Sequence, residues 1–174
     1  MAGDFDGDGR LDLALGDSGI PSDEEAEPED RPGKVTIRYG KAPGAPVVIE
    51  GGPRKGGFGV ELAAGDLDGD GCDDLAVERA GDRDGGTDGT DVLHGGSSPG
   101  LGSRPWLPAR PHRAGHPTAA DDLFGDGRDA LLLDSGVRKK NGWGWWFTDL
   151  AGKEPAHYDK DQLGHTAQTS RGGR

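Results

Sequence analysis

Cys72 is the only cysteine in this 174-residue chain, and there is a single methionine. One thiol excludes an intrachain disulfide, so no covalent staple holds the fold. Apolar residues make up only 31% and aromatics 6%, which leaves material for a thin core built from short segments. No stretch approaches the roughly 20 apolar residues of a membrane-spanning helix, and no signal peptide is recognisable at the start. Lys and Arg number 20 against 32 Asp and Glu, a net charge of −12. That balance argues against nucleic acid and anionic membranes as partners, because both require a basic footprint. Phosphate-cradling GxxxxGK[ST] and dinucleotide fingerprints are missing too. The five histidines, His94, His112, His116, His157 and His165, show no zinc-site spacing. Pro111 and Pro117 keep His112 and His116 from sharing a helix.

What the chain has in quantity is glycine, 34 residues, and acid. The two meet in Asp4-x-Asp6-Gly7-Asp8-Gly9-x-x-Asp12, repeated as Asp66-x-Asp68-Gly69-Asp70-Gly71-x-x-Asp74. Carboxylates at loop positions 1, 3, 5 and 9 on a tight turn converge on one point, and glycine at position 6 permits the positive φ the turn needs. Such a set suits a hard divalent cation, and calcium takes six to eight oxygens in irregular geometry. Without a cation, four such carboxylates repel one another. Both loops are therefore expected to bind Ca2+. An EF-hand would need a carboxylate at position 12 and flanking helices. Position 12 is Leu15 in one loop and Val77 in the other, and the short apolar runs that follow read as strands.

The copies recur at a period near sixty residues, which points to a repeat architecture. A third, eroded copy runs from Asp122 through Gly125, Asp126, Gly127 and Asp129 to Ala130. Position 3 has become Phe124 and position 9 Ala130, so this copy is the weakest calcium candidate. After each loop comes an apolar strand, a polar connection and a second strand-like segment. Lys34 to Tyr39 alternates with a period of two, the pattern of a half-buried antiparallel strand. Phe58–Gly65 gives a strand leading into the second loop, and Pro46–Glu50 a fourth. No such strand precedes the first loop, where Met1-Ala2-Gly3 runs straight into Asp4. The expectation is an all-β fold: a partial β-propeller built of four-stranded antiparallel blades.

Phe58-Gly59, Ala64-Gly65-Asp66-Leu67-Asp68-Gly69-Asp70-Gly71 and the glycine-flanked third strand together resemble the FG-GAP repeat of integrin α-like β-propellers. The resemblance covers most of residues 2–150, closely in the second repeat and loosely in the third. It implies a first blade over 1–56 lacking its first strand, a full blade over 57–108, a degenerate blade over 109–160, and a frayed tail or further repeat start over 161–174. It implies calcium ligands Asp4, Asp6, Asp8 and Asp12, with the carbonyl of Arg10, and Asp66, Asp68, Asp70 and Asp74, with the carbonyl of Cys72. The Cys72 side chain is expected to be incidental. Propellers of this family usually close seven blades, so about two and a half here leave sheet edges for further blades or self-association to cover.

Two other groups of residues invite a chemical reading. Gly16-Asp17-Ser18-Gly19 copies the surroundings of a trypsin-like serine, yet no histidine precedes it, and it reads as a turn. Trp143, Trp145, Trp146 and Phe147 read as packing between blades, with sugar stacking as the rival. Phe5 and Phe124 are expected to cap neighbouring strands. Ser22–Asp30 and Ala80–Asp91 read as mobile loops, and Gly164–Arg174 as a frayed end. The functional expectation is a non-catalytic, calcium-stabilised structural or adhesion module, secreted or at the cell surface, with a protein or glycan ligand. The alternatives are an accessory portion of a secreted hydrolase or lyase, or a truncated product without its own role.

Overall fold

The computed structural model describes residues 1–19, 32–40, 44–51, 57–79, 89–96, 102–104, 116–134, 144–148 and 156–159. The acidic stretch 22–30, most of the 80–91 loop, Trp143, His112, His165 and the 161–174 tail fall outside them. Among the described residues every regular element is a strand, and no helix is long and apolar enough to cross a membrane.

Among the described residues twelve strands form three four-stranded antiparallel sheets, each a simple meander. Sheet 1 comprises β1 (Ala2–Gly3), β2 (Asp12–Asp17), β3 (Lys34–Arg38) and β4 (Val47–Glu50). Sheet 2 comprises β5 (Phe58–Gly65), β6 (Asp74–Arg79), β7 (Gly89–His94) and β8 (Gly102–Arg104). Sheet 3 comprises β9 (His116–Asp121), β10 (Ala130–Asp134), β11 (Gly144–Thr148) and β12 (Ala156–Asp159). Each acidic loop joins the first strand of its sheet to the second. Where the sequence suggested no first strand, two residues supply one: Ala2 pairs with Leu13 and Gly3 with Asp12. The third repeat, despite its eroded loop, keeps the same strand order as the others.

Burial follows from stacking. In β3 the expected alternation holds, with Val35 and Ile37 buried and Lys34 and Arg38 exposed. Those two residues join Ala14 of β2 on the face turned to sheet 2, where Leu75, Val77, Leu93 and Phe58 meet them. Phe5, at loop position 2, plugs the same core at 1% exposure, as a cap should. On its opposite face sheet 2 presents Ala63, Ala76 and Val92, with Leu67, to Leu131 and Leu133 of sheet 3. Sheet 2 is thus covered on both faces. β6 is buried from Asp74 through Glu78, whereas the equivalent β2 alternates. Phe124, at loop position 3, is 50% exposed, where Phe5 at position 2 is buried.

The seams between sheets also carry a repeated polar clasp at loop position 8. The Asp73 amide donates to the Asp4 carbonyl at 2.9 Å, and the Asp4 amide donates to Asp73 Oδ2 at 2.8 Å. One seam further on, the Asp129 amide donates to the Asp66 carbonyl at 2.8 Å and the Asp66 amide to Asp129 Oδ2 at 3.0 Å. Glycine precedes each clasped loop for a steric reason. A Cβ on Gly3 would stand 2.9 Å from Asp73 Oδ2, and one on Gly65 would collide with Asp129 Oδ2.

Candidate metal centres

Each loop is wound around the carboxylate at position 1. Asp4 Oδ1 accepts the Asp8 amide at 3.0 Å and Oδ2 the Gly9 amide at 2.8 Å. Asp66 Oδ1 accepts the amides of Gly69 at 2.7 Å and Asp70 at 3.1 Å, and Oδ2 that of Gly71 at 3.0 Å. The smaller loops inside are closed by Asp6 and Asp68 on the position 5 amides, and by Asp8 and Asp70 on the amides of Arg10 and Cys72. Winding this tightly needs positive φ at positions 4 and 6. Gly7 and Gly9 have φ of 67° and 81°, and Gly69 and Gly71 have 81° and 88°. Only position 6 was evident as a requirement from the sequence.

The consequence is a convergence of charge. Oxygens of Asp4, Asp6 and Asp8 all lie within 4.8 Å of one another, as do those of Asp66, Asp68 and Asp70. Two oxygens bound to one calcium at 2.3–2.6 Å stand at most about 5 Å apart, so each trio fits a single hard cation. Burial in the loop, followed by the nearby Asp12 and Asp8 carboxylates, pushes Asp6 above the ordinary carboxylate pKa. A cation would reverse that shift by favouring the ionised form.

Position 9 has a different setting. Asp12 is 2% exposed; its Oδ2 accepts the Phe5 amide at 3.0 Å and its Oδ1 the Gly40 amide at 2.7 Å. Asp74 is 1% exposed and accepts the amides of Leu67 at 3.2 Å and Gly95 at 2.9 Å. Each therefore ties its loop to the turn after the third strand of its sheet. A carboxylate offers about four lone-pair directions, so these bonds leave capacity for a cation. Neither residue belongs to the tight oxygen trio, however. Asp74 clusters instead with Asp68 and His94, whose Nδ1 lies 3.2 Å from Asp68 Oδ2 and 3.2 Å from Asp74 Oδ1.

Sequence reasoning missed His94 at the second loop and Asp73 and Asp129 at the seams. Position 8 aspartates were visible in the motif, but their meaning depends on which sheet lies alongside. Cys72 is not incidental: it is buried, and a Cβ on Gly7 would stand 2.7 Å from its Sγ, so the thiol packs between the first two loops. Burial, then Asp70, pushes that thiol up to about 11, which leaves it protonated and unreactive at neutral pH.

The third loop keeps the winding and loses the trio. Asp122 accepts the amides of Asp126 at 3.0 Å and Gly127 at 3.1 Å, and these bonds, Gly127 foremost, lower its pKa. Gly125 and Gly127 have φ of 69° and 81°. With Phe124 and Ala130 in place of acids, positions 3 and 9 carry no carboxylate. Ser18, in the trypsin-like tetrapeptide, stands at the end of β2, where its carbonyl accepts the Gly57 amide at 2.8 Å. At the far end of β6, buried Glu78 meets His116 Nδ1 at 2.6 Å across the second seam, with exposed Glu61 beside them.

No family model matches this sequence, and no curated protein does either.

Proposed function

We propose that this chain is a calcium-binding, non-catalytic structural module of the FG-GAP type, its three sheets acting as consecutive blades of a β-propeller. The observation that carries the reading is the pair of equivalent loops that each bring three carboxylates within single-cation reach. In this reading Asp4, Asp6 and Asp8 hold one ion, and Asp66, Asp68 and Asp70 hold the other. Asp12 and Asp74 brace the loops from below, and the carbonyls of Arg10 and Cys72 complete the shells. The ion offsets repulsion among the carboxylates and adds its binding free energy to folding. With so few apolar residues, that contribution is a large share of what holds each turn. Secretion or surface display, with a protein or glycan ligand, follows from the same resemblance, because extracellular calcium suits loops of this kind.

Isothermal titration of the chelator-stripped protein with CaCl2 tests the reading. Two sites are expected. Asp68→Asn removes one of them and Asp6→Asn the other; both residues lie at loop position 3, so the position 1 winding survives. A single site in the parent protein, or two sites persisting in either variant, refutes the assignment.

A further inference from the structure

Three ligating side chains meet at the second seam, at the end of β6 away from its acidic loop. Glu61 of β5, Glu78 of β6 and His116 of β9 each bring one ligand atom within 4.8 Å of the other two. His116 Nδ1 lies 2.6 Å from Glu78 Oε1. Glu78 is 4% exposed, while Glu61 and His116 are open to solvent. The residues come from three strands, His116 standing 38 residues beyond Glu78. No short spacing in the sequence could announce them.

Stacking alone does not demand an acid at this place, as the first seam shows. Glu78 stands two residues after Ala76, on the face turned to sheet 3. Gly16 stands two after Ala14, on the face of sheet 1 turned to sheet 2. A Cβ on Gly16 would run into the Gly59 carbonyl, so the first seam closes there backbone against backbone. The second seam holds two carboxylates and an imidazole instead. β5 shifts register between Phe58 and Leu62, the stretch that contains Glu61, and such irregularities re-aim side chains.

A buried carboxylate beside a second acid is costly unless positive charge compensates it. The His116 ring offsets one charge at most, whereas a divalent cation offsets both. Two carboxylate oxygens with one imidazole nitrogen form a mixed donor set, which suits first-row transition metals better than calcium. Zinc takes these donors at about 2.0–2.2 Å and accepts three protein ligands with water in the fourth place. Buried Glu78 fixes one ligand. The two exposed side chains leave an entry path and have the rotamer freedom to close on the ion.

We propose that Glu61, Glu78 and His116 bind a divalent first-row transition metal and so pin sheet 2 to sheet 3. The site shares no ligand with the calcium loops and stands apart from the function proposed above.

Isothermal titration of the full chain with ZnCl2, in excess calcium, is expected to show one Zn2+ site. His116→Ala and Glu61→Gln alter only exposed side chains, and each is expected to weaken binding about tenfold or more. His94→Ala, which removes the histidine beside Asp68 and Asp74, is expected to leave Zn2+ binding unchanged. Zn2+ should raise the melting temperature of the parent but not of His116→Ala. No Zn2+ binding, binding that survives both exposed substitutions, or binding lost with His94 overturns the proposal. A Zn2+ site found in protein that does not bind calcium supports this proposal and refutes only the earlier one.

Discussion

Replacing Asp74 by asparagine preserves the side chain's shape and removes its charge, and the structure assigns the two consequences different pH dependences. Desolvation, only partly opposed by the Gly95 amide and His94, pushes the Asp74 carboxyl up to about 6, well above the ordinary aspartate value. A folded-state pKa above the unfolded one means the folded protein holds that proton more tightly. The resulting stability is fully present below about pH 4 and is lost as pH rises through 6. A shift of this size corresponds to on the order of 3 kcal/mol. Asparagine cannot ionise, so Asp74→Asn lacks this slope. It has only one oxygen for the Leu67 and Gly95 amides, a pH-independent cost of about 1–3 kcal/mol for one stranded buried donor. In metal-free protein the variant should therefore be less stable than the parent at pH 4.5 and close to it at pH 7.5. Urea denaturation at half-unit pH steps, after stripping on a chelating resin, measures both curves. Asp6 and Asp129 are also raised by burial, but they are common to both proteins and cancel in the difference. Parallel curves across pH 4–7.5 would refute the argument. Saturating calcium should widen the gap at neutral pH, because a cation beside Asp68 and Asp74 favours the ionised carboxylate.

The seam clasp makes a separate prediction. Asp73→Ala deprives the Asp4 amide of its 2.8 Å acceptor and should cost about 1–3 kcal/mol in chemical denaturation, whereas exposed Asp17→Ala should change stability by less than about 1 kcal/mol. Equal effects of the two would count against the clasp. Leu75→Ala, at a side chain with no exposure between sheets 1 and 2, should cost about 2–5 kcal/mol; the same change at Leu13, its exposed counterpart, should cost less than half as much in monomeric protein.

The strands and their order were readable because each repeat states its pattern in short range. A period of two in Lys34–Arg38, glycines at the bends and apolar runs after the loops require no knowledge of neighbours. The stub Ala2–Gly3 was not readable, since two residues carry no periodicity, and pairing with β2 alone makes them a strand. Spacing pointed to four converging carboxylates per loop, and those at positions 1, 3 and 5 do lie together. The work of position 9, of His94 and of position 8 was not, because it depends on the turn after the third strand and on the adjoining sheet, more than twenty residues away in sequence. Phe5 and Phe124 illustrate the same limit. They lie one position apart in equivalent loops, yet one is a core plug and the other is half exposed.

The three loops form a series that separates the tasks within one motif. Loops 1 and 2 have every acid; loop 3 keeps position 1 and position 5 and has lost positions 3 and 9. Its backbone nevertheless takes the same turn, with the same pair of positive φ values and the same amides on Asp122. Position 1 therefore sets the shape, by collecting amides that would otherwise be unpaired. Positions 3 and 5 add charge at the point where the turn converges, which is what a cation requires and what costs stability without one. Position 9 adds charge beside that point, as the effect of Asp12 on Asp6 shows, and also fastens the loop to the turn after the third strand, a fastening that Ala130 gives up. Counting the acids alone therefore understates the scaffold, because positions 1 and 9 also collect backbone amides. Substitution at position 3 should cancel binding while sparing the fold, whereas alanine at position 9, which strands both amides that Asp12 accepts, should weaken the fold even in protein that has never met a metal ion.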